Sequence, residues 1–278
     1  MSHHNAGKLW IVATPIGNLE DFSARARSVL QCVDLIAAED TRHSAALLRH
    51  FGIATPTFAL HEHNERDAGD TLVQRMRGGA QIAFICDAGT PLISDPGFRL
   101  VRAAREAGIA VGPVPGPSAA IAALSVAGLP PDRFVFEGFL PARETARRAR
   151  LEILCTETRT LIFYESSHRI AQTLADMARI FGGERSAVVA RELTKLFETV
   201  LNGSLAELAQ RVAVDADQRR GEFVVLVAGA DSHADDARLI EGRRVFALLR
   251  KELPPSRAAK LAAEITGAPR KALYTPEA

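Results

Sequence analysis

The segment QIAFICDAGTPLISDPG, residues 81–97, decides the fold class of this chain. Its first six residues form a short apolar run typical of a buried strand, and the eleven that follow predict a long Gly- and Pro-rich loop. A helical stretch at residues 98–107 and a further apolar run at 109–114 come next. A helix of this length between two strands indicates a parallel crossover, so an α/β fold is predicted.

The same alternation of strands and helices runs on both sides of this segment. The N-terminal half adds predicted strands at 9–13 and 34–38 and helices at 23–31, 41–51, 67–77 and 118–127. A Gly-Pro cluster at residues 128–131 then marks a boundary. Beyond it we predict strands at 134–139, 160–164, 186–191 and 222–228, with helices between them. The expected organisation is two α/β lobes, residues 1–128 and 129–230, followed by a linker and a small helical domain at 231–278.

Composition narrows the possible classes of function. The chain has 278 residues, of which 47% are hydrophobic and 24% charged, as in ordinary globular proteins. Its 34 basic and 33 acidic residues nearly cancel, which excludes a purely electrostatic binder of nucleic acid but not a local basic patch. Three cysteines without zinc-ligand spacing favour a reducing, cytoplasmic compartment. No run approaches the ~18 apolar residues of a membrane span, and no secretion signal is visible, so no membrane partner is expected.

Positive charge is concentrated near the C-terminus. Residues 236–278 contain nine Lys or Arg and five Asp or Glu, a net charge of +4. Helices are predicted at 239–251 and 257–265, with a short third helix from Pro269 towards Tyr274. This spacing is typical of a helix-turn-helix, although any small helical tail would show it. A second basic stretch, at 143–159, is compatible with a solvated helix face or with nucleic-acid binding.

Three loops follow predicted parallel strands and carry no standard nucleotide motif. The chain contains neither G-x-x-x-x-G-K-[ST] nor a G-x-G-x-x-G after a strand. It has instead TPIGN at 14–18, DAGTPLISDPG at 87–97 and PGPS at 115–118. Because the carboxyl ends of parallel strands share one edge, these loops are expected to converge there on a small ligand with polar and positive parts. Simple turn chemistry of Gly and Pro is the alternative.

The chain resembles a known enzyme family over nearly its whole length. The motifs are TPIGNL, IAAEDTRHS, HEHNE, DAGTPLISDPG, PVPGPSAA, GLPPDRFVFEGFLP, TLIFYESSHRI, ARELTKLFE, GEFVVLVAG and, in the tail, AAKLAAEITGAPRKALY. They are similar to those of the ribosomal small subunit methyltransferase I family, in the tetrapyrrole-methylase superfamily of class III S-adenosylmethionine enzymes. The resemblance implies 2′-O-methylation of a cytidine ribose in the decoding region of 16S rRNA. It also implies a homodimer and a cofactor cleft between the two lobes.

The resemblance further implies which residues hold S-adenosyl-L-methionine and release S-adenosylhomocysteine. Those of the first lobe are Pro15, Asp87, Gly89, Thr90, Ile93, Ser94, Ser118 and Ala119. Those of the second lobe are Tyr164, Glu165, Leu193 and the backbone from Val225 to Ala228.

Several charged residues are candidates for catalysis, since a ribose hydroxyl is a poor nucleophile that a base or a cation would help. Glu39, Asp40 and Arg42 follow a strand and open a helix, where N-capping by Asp40 or Thr41 is the alternative. Glu165 is a candidate base or cofactor ligand. Arg191 and Lys195 could hold the RNA backbone or stabilise the alkoxide, and an Arg191–Glu192 ion pair is the alternative.

Substrate contacts are expected from exposed histidines and basic residues, namely His43, His61, His168, Arg169, Arg270 and Lys271. The HEHNE stretch at 61–65 lacks the H-E-x-x-H spacing, so no metal is expected. Two other functions compete with the rRNA enzyme: a related methyltransferase acting on a tetrapyrrole or other small substrate, and a non-catalytic RNA-binding factor. The basic tail and the EDTRHS and YESSHR stretches favour RNA.

Overall fold

A computed structural model describes residues 7–61, 64–230 and 234–274, without the side chains of 234–240 and 274. The first lobe is a five-stranded sheet in the order β3-β2-β4-β1-β5, in which every pair is parallel. Its strands are β1 (Lys8–Val12), β2 (Leu35–Ala38), β3 (Thr57–Ala59), β4 (Gln81–Ile85) and β5 (Ala110–Val114). Its helices are α1 (Ala24–Cys32), α2 (Thr41–His50), α3 (Glu65–Arg77), α4 (Phe98–Glu106) and α5 (Ala119–Val126).

Apolar residues on both faces explain why this sheet is buried between helices. In β4, Ile82 and Phe84 enter one core cluster and Ala83 and Ile85 enter the cluster on the opposite face. All four are fully buried. The sequence of β4 is therefore a continuous apolar run and does not alternate apolar with polar residues, as expected for a strand of a parallel sheet that is covered on both sides. The parallel α/β prediction for this lobe is confirmed, while the short strand β3 was not predicted.

The second lobe is a mixed five-stranded sheet in the order β6-β7-β10-β8-β9. Only β6 and β7 pair in parallel, and the other three pairs are antiparallel. Its strands are β6 (Phe134–Phe139), β7 (Thr160–Ser166), β8 (Ser186–Arg191), β9 (Thr199–Ser204) and β10 (Glu222–Val227). Its helices are α6 (Glu144–Leu154), α7 (Ile170–Phe181) and α8 (Leu205–Val214). The strand β9, with the mixed sequence TVLNGS, is a further strand that was not predicted.

Helix α5 joins the two lobes. It precedes the boundary expected at residue 128, yet its Ala120, Ala123 and Leu124 pack in one cluster with residues of the second sheet such as Ile162 and Val224. The other face of that sheet forms a separate core that includes Leu151, Leu174 and Leu208 from α6, α7 and α8. The second lobe is thus covered on one face by a helix that the chain order assigns to the first.

The C-terminal residues form the predicted small helical unit. It consists of α9 (Ala234–Leu249), α10 (Pro255–Thr266) and a 3₁₀ turn at Arg270–Tyr274. Gly267 takes a left-handed conformation with φ of 71° and ends α10. Small residues, Ala258, Ala259 and Ala262, are fully buried and allow close helix packing. Within the described part of the chain, no helix is long and apolar enough to cross a membrane.

Candidate active site

A cavity of about 390 Å³ lies between the two lobes. This volume falls in the range of small-molecule sites. The cavity wall includes nine of the residues that sequence analysis assigned to the cofactor, together with Lys195: Gly89, Thr90, Ile93, Ser94, Ser118, Ala119, Tyr164, Glu165 and Leu193. The predicted convergence of both lobes on one cleft is therefore observed, while the roles of the individual residues stay predictions.

Hydrogen bonds tie together the three loops that follow β1, β4 and β5. Thr14 N donates to Gly89 O at 2.9 Å, and Gly89 N donates to Thr14 O at 3.1 Å. Thr90 Oγ1 donates to Pro117 O at 2.9 Å. Gly89 adopts a φ of 83°, which an L side chain rarely takes. Turn chemistry alone does not account for this arrangement, because the loops bond to one another across the sheet edge.

Strained backbone is concentrated in the two loops that face each other across the cavity. Among the described residues, positive φ values outside glycine occur at Leu92 and Ser94 in the first lobe and at Glu192 and Thr194 in the second. Such conformations cost about 1–3 kcal/mol each and cluster at functional sites. Asn18 N donates to Thr194 Oγ1 at 3.1 Å, so the lobes also contact each other directly beside the cavity.

Glu165 is a buried wall of the cavity with its carboxylate fully engaged. Its oxygens accept hydrogen bonds from Ser166 N at 2.8 Å, Thr173 Oγ1 at 2.7 Å and Arg169 Nη2 at 3.2 Å. Arg169 Nη2 also donates to Leu140 O at 2.7 Å. These contacts favour a positioning role for Glu165 over the predicted base. They also place Arg169 inside the second lobe, whereas neighbouring His168 is exposed.

The two cationic side chains predicted to act on the substrate, Arg191 and Lys195, both contact other groups of the protein. Arg191 is 8% exposed, and it donates to Arg220 O at 2.6 Å and to Phe197 O at 2.9 Å. Lys195 Nζ lies 3.0 Å from Glu192 Oε1 and 2.8 Å from Glu222 Oε2. The alternative ion pair between Arg191 and Glu192 is not formed, since Glu192 pairs with Lys195. Arg191 therefore braces the loop after β8, and only Lys195 reaches the cavity wall.

The structure corrects the predicted cofactor contacts of Val225 and Ala228, because β10 runs in the opposite direction to β7. Because β10 runs antiparallel to β7, its first residues, Glu222 to Val224, lie beside the cavity. Val225 points into the opposite core, and Ala228 lies at the far end, where its N donates to Ser186 O at 2.9 Å. Neither lines the cavity. Pro15 and Asp87 are also outside the lining, although each is adjacent to a residue that belongs to it, Ile16 and Ala88.

Asp40 is the N-cap residue of α2, and Arg42 in the first turn of the helix pairs with it. Asp40 accepts from Arg42 N at 2.8 Å, and Arg42 Nη2 lies 2.9 Å from Asp40 Oδ2. The hydrogen bond from the Arg42 side chain lowers the pKa of Asp40 to about 2. The capping alternative is thus the one observed for Asp40. The next residue, His43, is exposed on the same helix.

An acidic cluster lies beside the cavity at the carboxyl ends of β2 and β4. One carboxylate oxygen each of Glu39 and Asp95 and the Sγ atom of Cys86 lie within 4.8 Å of one another. Burial, followed by the charge of Glu39, raises the pKa of Asp95 to about 7. Burial and then the charge of Asp87 raise the pKa of Glu39. Burial also raises the pKa of the Cys86 thiol, and a thiol that stays protonated is a poor metal ligand. The absence of a metal stays a prediction.

The remaining predicted substrate residues lie outside the cavity. His61 is exposed before α3, and the neighbouring Glu62 and His63 fall outside the described residues. Arg270 and Lys271 are exposed in the helical tail, where Arg270 Nη2 donates to Ser256 O at 3.2 Å. Asp95 lines the cavity, but the sequence pattern did not single it out as a site residue, and the same holds for Ile16, Ala88 and Glu222. The signal for Asp95 was a carboxylate in the Gly- and Pro-rich segment, but its partner Glu39 is distant in sequence.

Comparison with known proteins decides the family. The model for Tetrapyrrole (Corrin/Porphyrin) Methylases matches residues 8–209, and the RsmI C-terminal HTH domain model matches 236–275. A protein of Xylella fastidiosa (strain Temecula1) named Ribosomal RNA small subunit methyltransferase I is 65% identical over 96% of this chain and 98% of its own. The chain belongs to that methyltransferase family. The equally named protein of Pseudomonas aeruginosa is 59% identical over 97% of this chain and 96% of its own length.

Solved structures support the same fold. A cobalt precorrin-4 methyltransferase superposes with a TM-score of 0.61 at 17% identity, over 82% of this chain and 97% of its own. A uroporphyrin-III C-methyltransferase of Thermus thermophilus in complex with S-adenosylhomocysteine gives 0.56 at 17% identity, over 79% and 97%. The two-lobed architecture of this family member is therefore that of the tetrapyrrole methylases, extended by a helical C-terminal unit.

Proposed function

We propose that this methyltransferase transfers the methyl group of S-adenosyl-L-methionine to the ribose 2′-hydroxyl of a cytidine in the decoding region of 16S rRNA. The observation that carries the proposal is the interlobe cavity of a tetrapyrrole-methylase fold joined to a basic helix-turn-helix-like tail. Relatives of at least 50% identity carry the name of the rRNA enzyme over nearly their whole length, which supports RNA as the substrate. An rRNA substrate in turn supports a cytoplasmic location.

The cavity suits S-adenosylmethionine in shape and charge. At Gly89 a Cβ would lie 3.3 Å from Ile16 Cγ2, so a side chain there would press on a residue of the cavity wall. The carboxylate of Glu165 in the wall suits a ligand that carries positive charge. Backbone and side chains of Thr90, Ser94 and Ser118 would supply polar contacts. When bound, this cofactor supplies an already activated methyl group, so the reaction needs no metal ion.

The protein then has mainly to align the reacting oxygen with the methyl group, and positioning of this kind can supply several kcal/mol of barrier reduction. The braced loops support that role, because hydrogen bonds hold wall residues such as Thr90 and Glu165 in place. Arg191 fixes the loop after β8 and Glu165 fixes the start of α7 through Thr173 and Arg169. The exposed His43 and His168 remain candidates for contact with RNA outside the cavity.

The proposal includes a homodimer that acts on the small ribosomal subunit. Large apolar side chains exposed around the edge strand β9 support a self-association surface: Leu196 is 89% exposed, Phe197 66% and Val200 38%. Exposed apolar groups next to one another on a sheet edge are typical of interaction surfaces. The two-lobe division at residues 128 and 230 is retained as a proposal, with α5 spanning the lobes.

Labelled S-adenosylmethionine offered with 30S subunits, free 16S rRNA and a porphyrinogen tests the function. Label is expected in the RNA, and the labelled nucleotide should resist alkaline cleavage on its 3′ side because a 2′-O-methyl group blocks attack on the phosphate. Label in the macrocycle would indicate a tetrapyrrole methylase instead. A folded protein that binds the cofactor but labels neither would contradict the enzymatic proposal. S-adenosylhomocysteine, the expected product, should inhibit the transfer.

A further inference from the structure

Asp95 occupies the place where the cavity meets the acidic edge of the first sheet. Asp95 lines the cavity. Its carboxylate lies within 4.8 Å of the carboxylate of Glu39 and of the Sγ atom of Cys86, which follow β2 and β4. Asp95 therefore belongs both to the cavity wall and to the group of side chains at the carboxyl ends of the parallel strands. Ligands of open α/β sheets bind at this edge.

The loop around Asp95 is locked in position from both sides. Ser94 before it has a φ of 68°, and Gly97 after it has a φ of 115°. A Cβ at Gly97 would lie 2.3 Å from Cε1 of Phe84 in the core, so the backbone lies directly on the sheet. Gly97 N also donates to the buried Glu65 Oε1 at 3.1 Å. Preorganisation of this kind is what a group that acts on a reacting atom requires.

Other carboxylates near the cavity are already committed to partners. Glu165 accepts three hydrogen bonds, as described above. Glu222 pairs with Lys195, and Asp40 pairs with Arg42. Asp95, in contrast, contacts no cationic side chain in the part of the chain that the structure describes. It is the cavity carboxylate that retains the capacity to accept a proton.

The surroundings of Asp95 tune its proton affinity. Burial and the nearby carboxylate of Glu39 raise its pKa to about 7, and Asp87 adds in the same direction. The Cys86 side chain opposes this rise, and the phenol of Tyr164 is an ionisable group of the second lobe that interacts with the charge of Asp95. A general base works best when its pKa lies near the operating pH.

We propose that Asp95 is the catalytic base for the methyl transfer, an inference that rests on the proposed function. The ribose oxygen forms its bond to the methyl carbon as the carbon–sulfur bond breaks, and sulfur retains that electron pair. The hydroxyl proton passes to a carboxylate oxygen of Asp95 and leaves later to water. Glu39 acts through Asp95 as a positioning residue that keeps its proton affinity high.

Single-turnover methylation of 30S subunits by the full-length protein, measured from pH 5.5 to 9, tests this assignment. The wild-type rate is expected to rise with pH through an inflection near 7, because the base must be deprotonated. Asp95→Asn should lower the rate at least about 100-fold and remove the inflection. Glu39→Gln should move the inflection to lower pH, since it removes the negative charge that raises the pKa of Asp95. The control Asp70→Asn, on the exposed side of α3, should behave as wild type.

Calorimetric titration with S-adenosylmethionine separates catalysis from binding. The affinity of Asp95→Asn should stay within about threefold of wild type, which also shows that the variant is folded. An Asp95→Asn rate within about tenfold of wild type, or a rate loss matched by an equal loss of cofactor affinity, would overturn the assignment. If the wild-type protein labels RNA but Asp95→Asn does not show the expected loss of rate, only the role of Asp95 is refuted. If wild type labels no RNA at all, the proposed function falls with it.

Discussion

Replacing Gly89 tests whether the loop after β4 holds the cofactor. At its φ of 83°, any L side chain pays about 1–2 kcal/mol of backbone strain. A Cβ there would also press on Ile16 Cγ2 at 3.3 Å, and Ile16 belongs to the cavity wall. The two methyl groups of valine add further bulk at this point. Gly89→Val should therefore weaken S-adenosylmethionine binding at least about tenfold, or about 1.4 kcal/mol.

Gly108→Ala provides a matched control for backbone strain. Gly108 has a φ of 72°, and no atom lies within 4 Å of the Cβ it would gain. Its substitution should cost a similar ~1–2 kcal/mol in the free energy of unfolding. Because Gly108 lies outside the cavity, the affinity for the cofactor should not change. Urea denaturation measures the first quantity and isothermal titration calorimetry the second.

The comparison of these two variants decides whether the loop after β4 holds the cofactor. Unchanged cofactor affinity in a folded Gly89→Val protein would refute the assignment of this loop to the cofactor. Equal loss of affinity in Gly108→Ala would show that general destabilisation, and not the cavity wall, controls binding. The bonds between Thr14 and Gly89 also predict that Gly89→Val disturbs the loop after β1, which amide exchange at Thr14 would detect.

Three further outcomes are expected. Thr173→Val removes a hydrogen bond to the buried carboxylate of Glu165 and should lower the free energy of unfolding, measured by urea denaturation, by about 2 kcal/mol. The control Thr71→Val, on an exposed helix face, should change it little. Equal losses in the two variants would argue against the buried bond. EDTA should leave methyl transfer intact when the RNA has been folded with magnesium beforehand, and loss restored by one added metal ion would contradict a metal-free reaction. Deleting residues 236–278 should weaken RNA binding and flatten its salt dependence without affecting cofactor affinity, with Lys271→Ala as a milder version; equal RNA affinity at every salt concentration would remove the tail from substrate binding.

Much of the candidate site could be predicted from the chain because the loops are local features. A Gly- and Pro-rich loop after each apolar run marks the carboxyl edge of a parallel sheet. The family resemblance supplied the nine predicted cofactor residues that do line the cavity. The acid groups were harder to rank. The sequence left open whether Asp40 and Glu165 are free to act on a substrate, but both carboxylates accept hydrogen bonds, from Arg42 and Thr173 respectively. Such partners depend on side-chain geometry, which a sequence pattern does not specify.

The sequence by itself determined the α/β class, the two lobes, the loops that converge at one edge, and the basic helical tail, because apolar periodicity and turn residues act within a few positions of the chain. Only the tertiary structure decided which strands run antiparallel in the second sheet. That pairing places the beginning of β10, and not its end, at the cavity. It also decided that Glu39, Cys86 and Asp95 meet. These outcomes depend on contacts between segments far apart in the chain, where long-range packing and burial set both the neighbours of a group and its proton affinity.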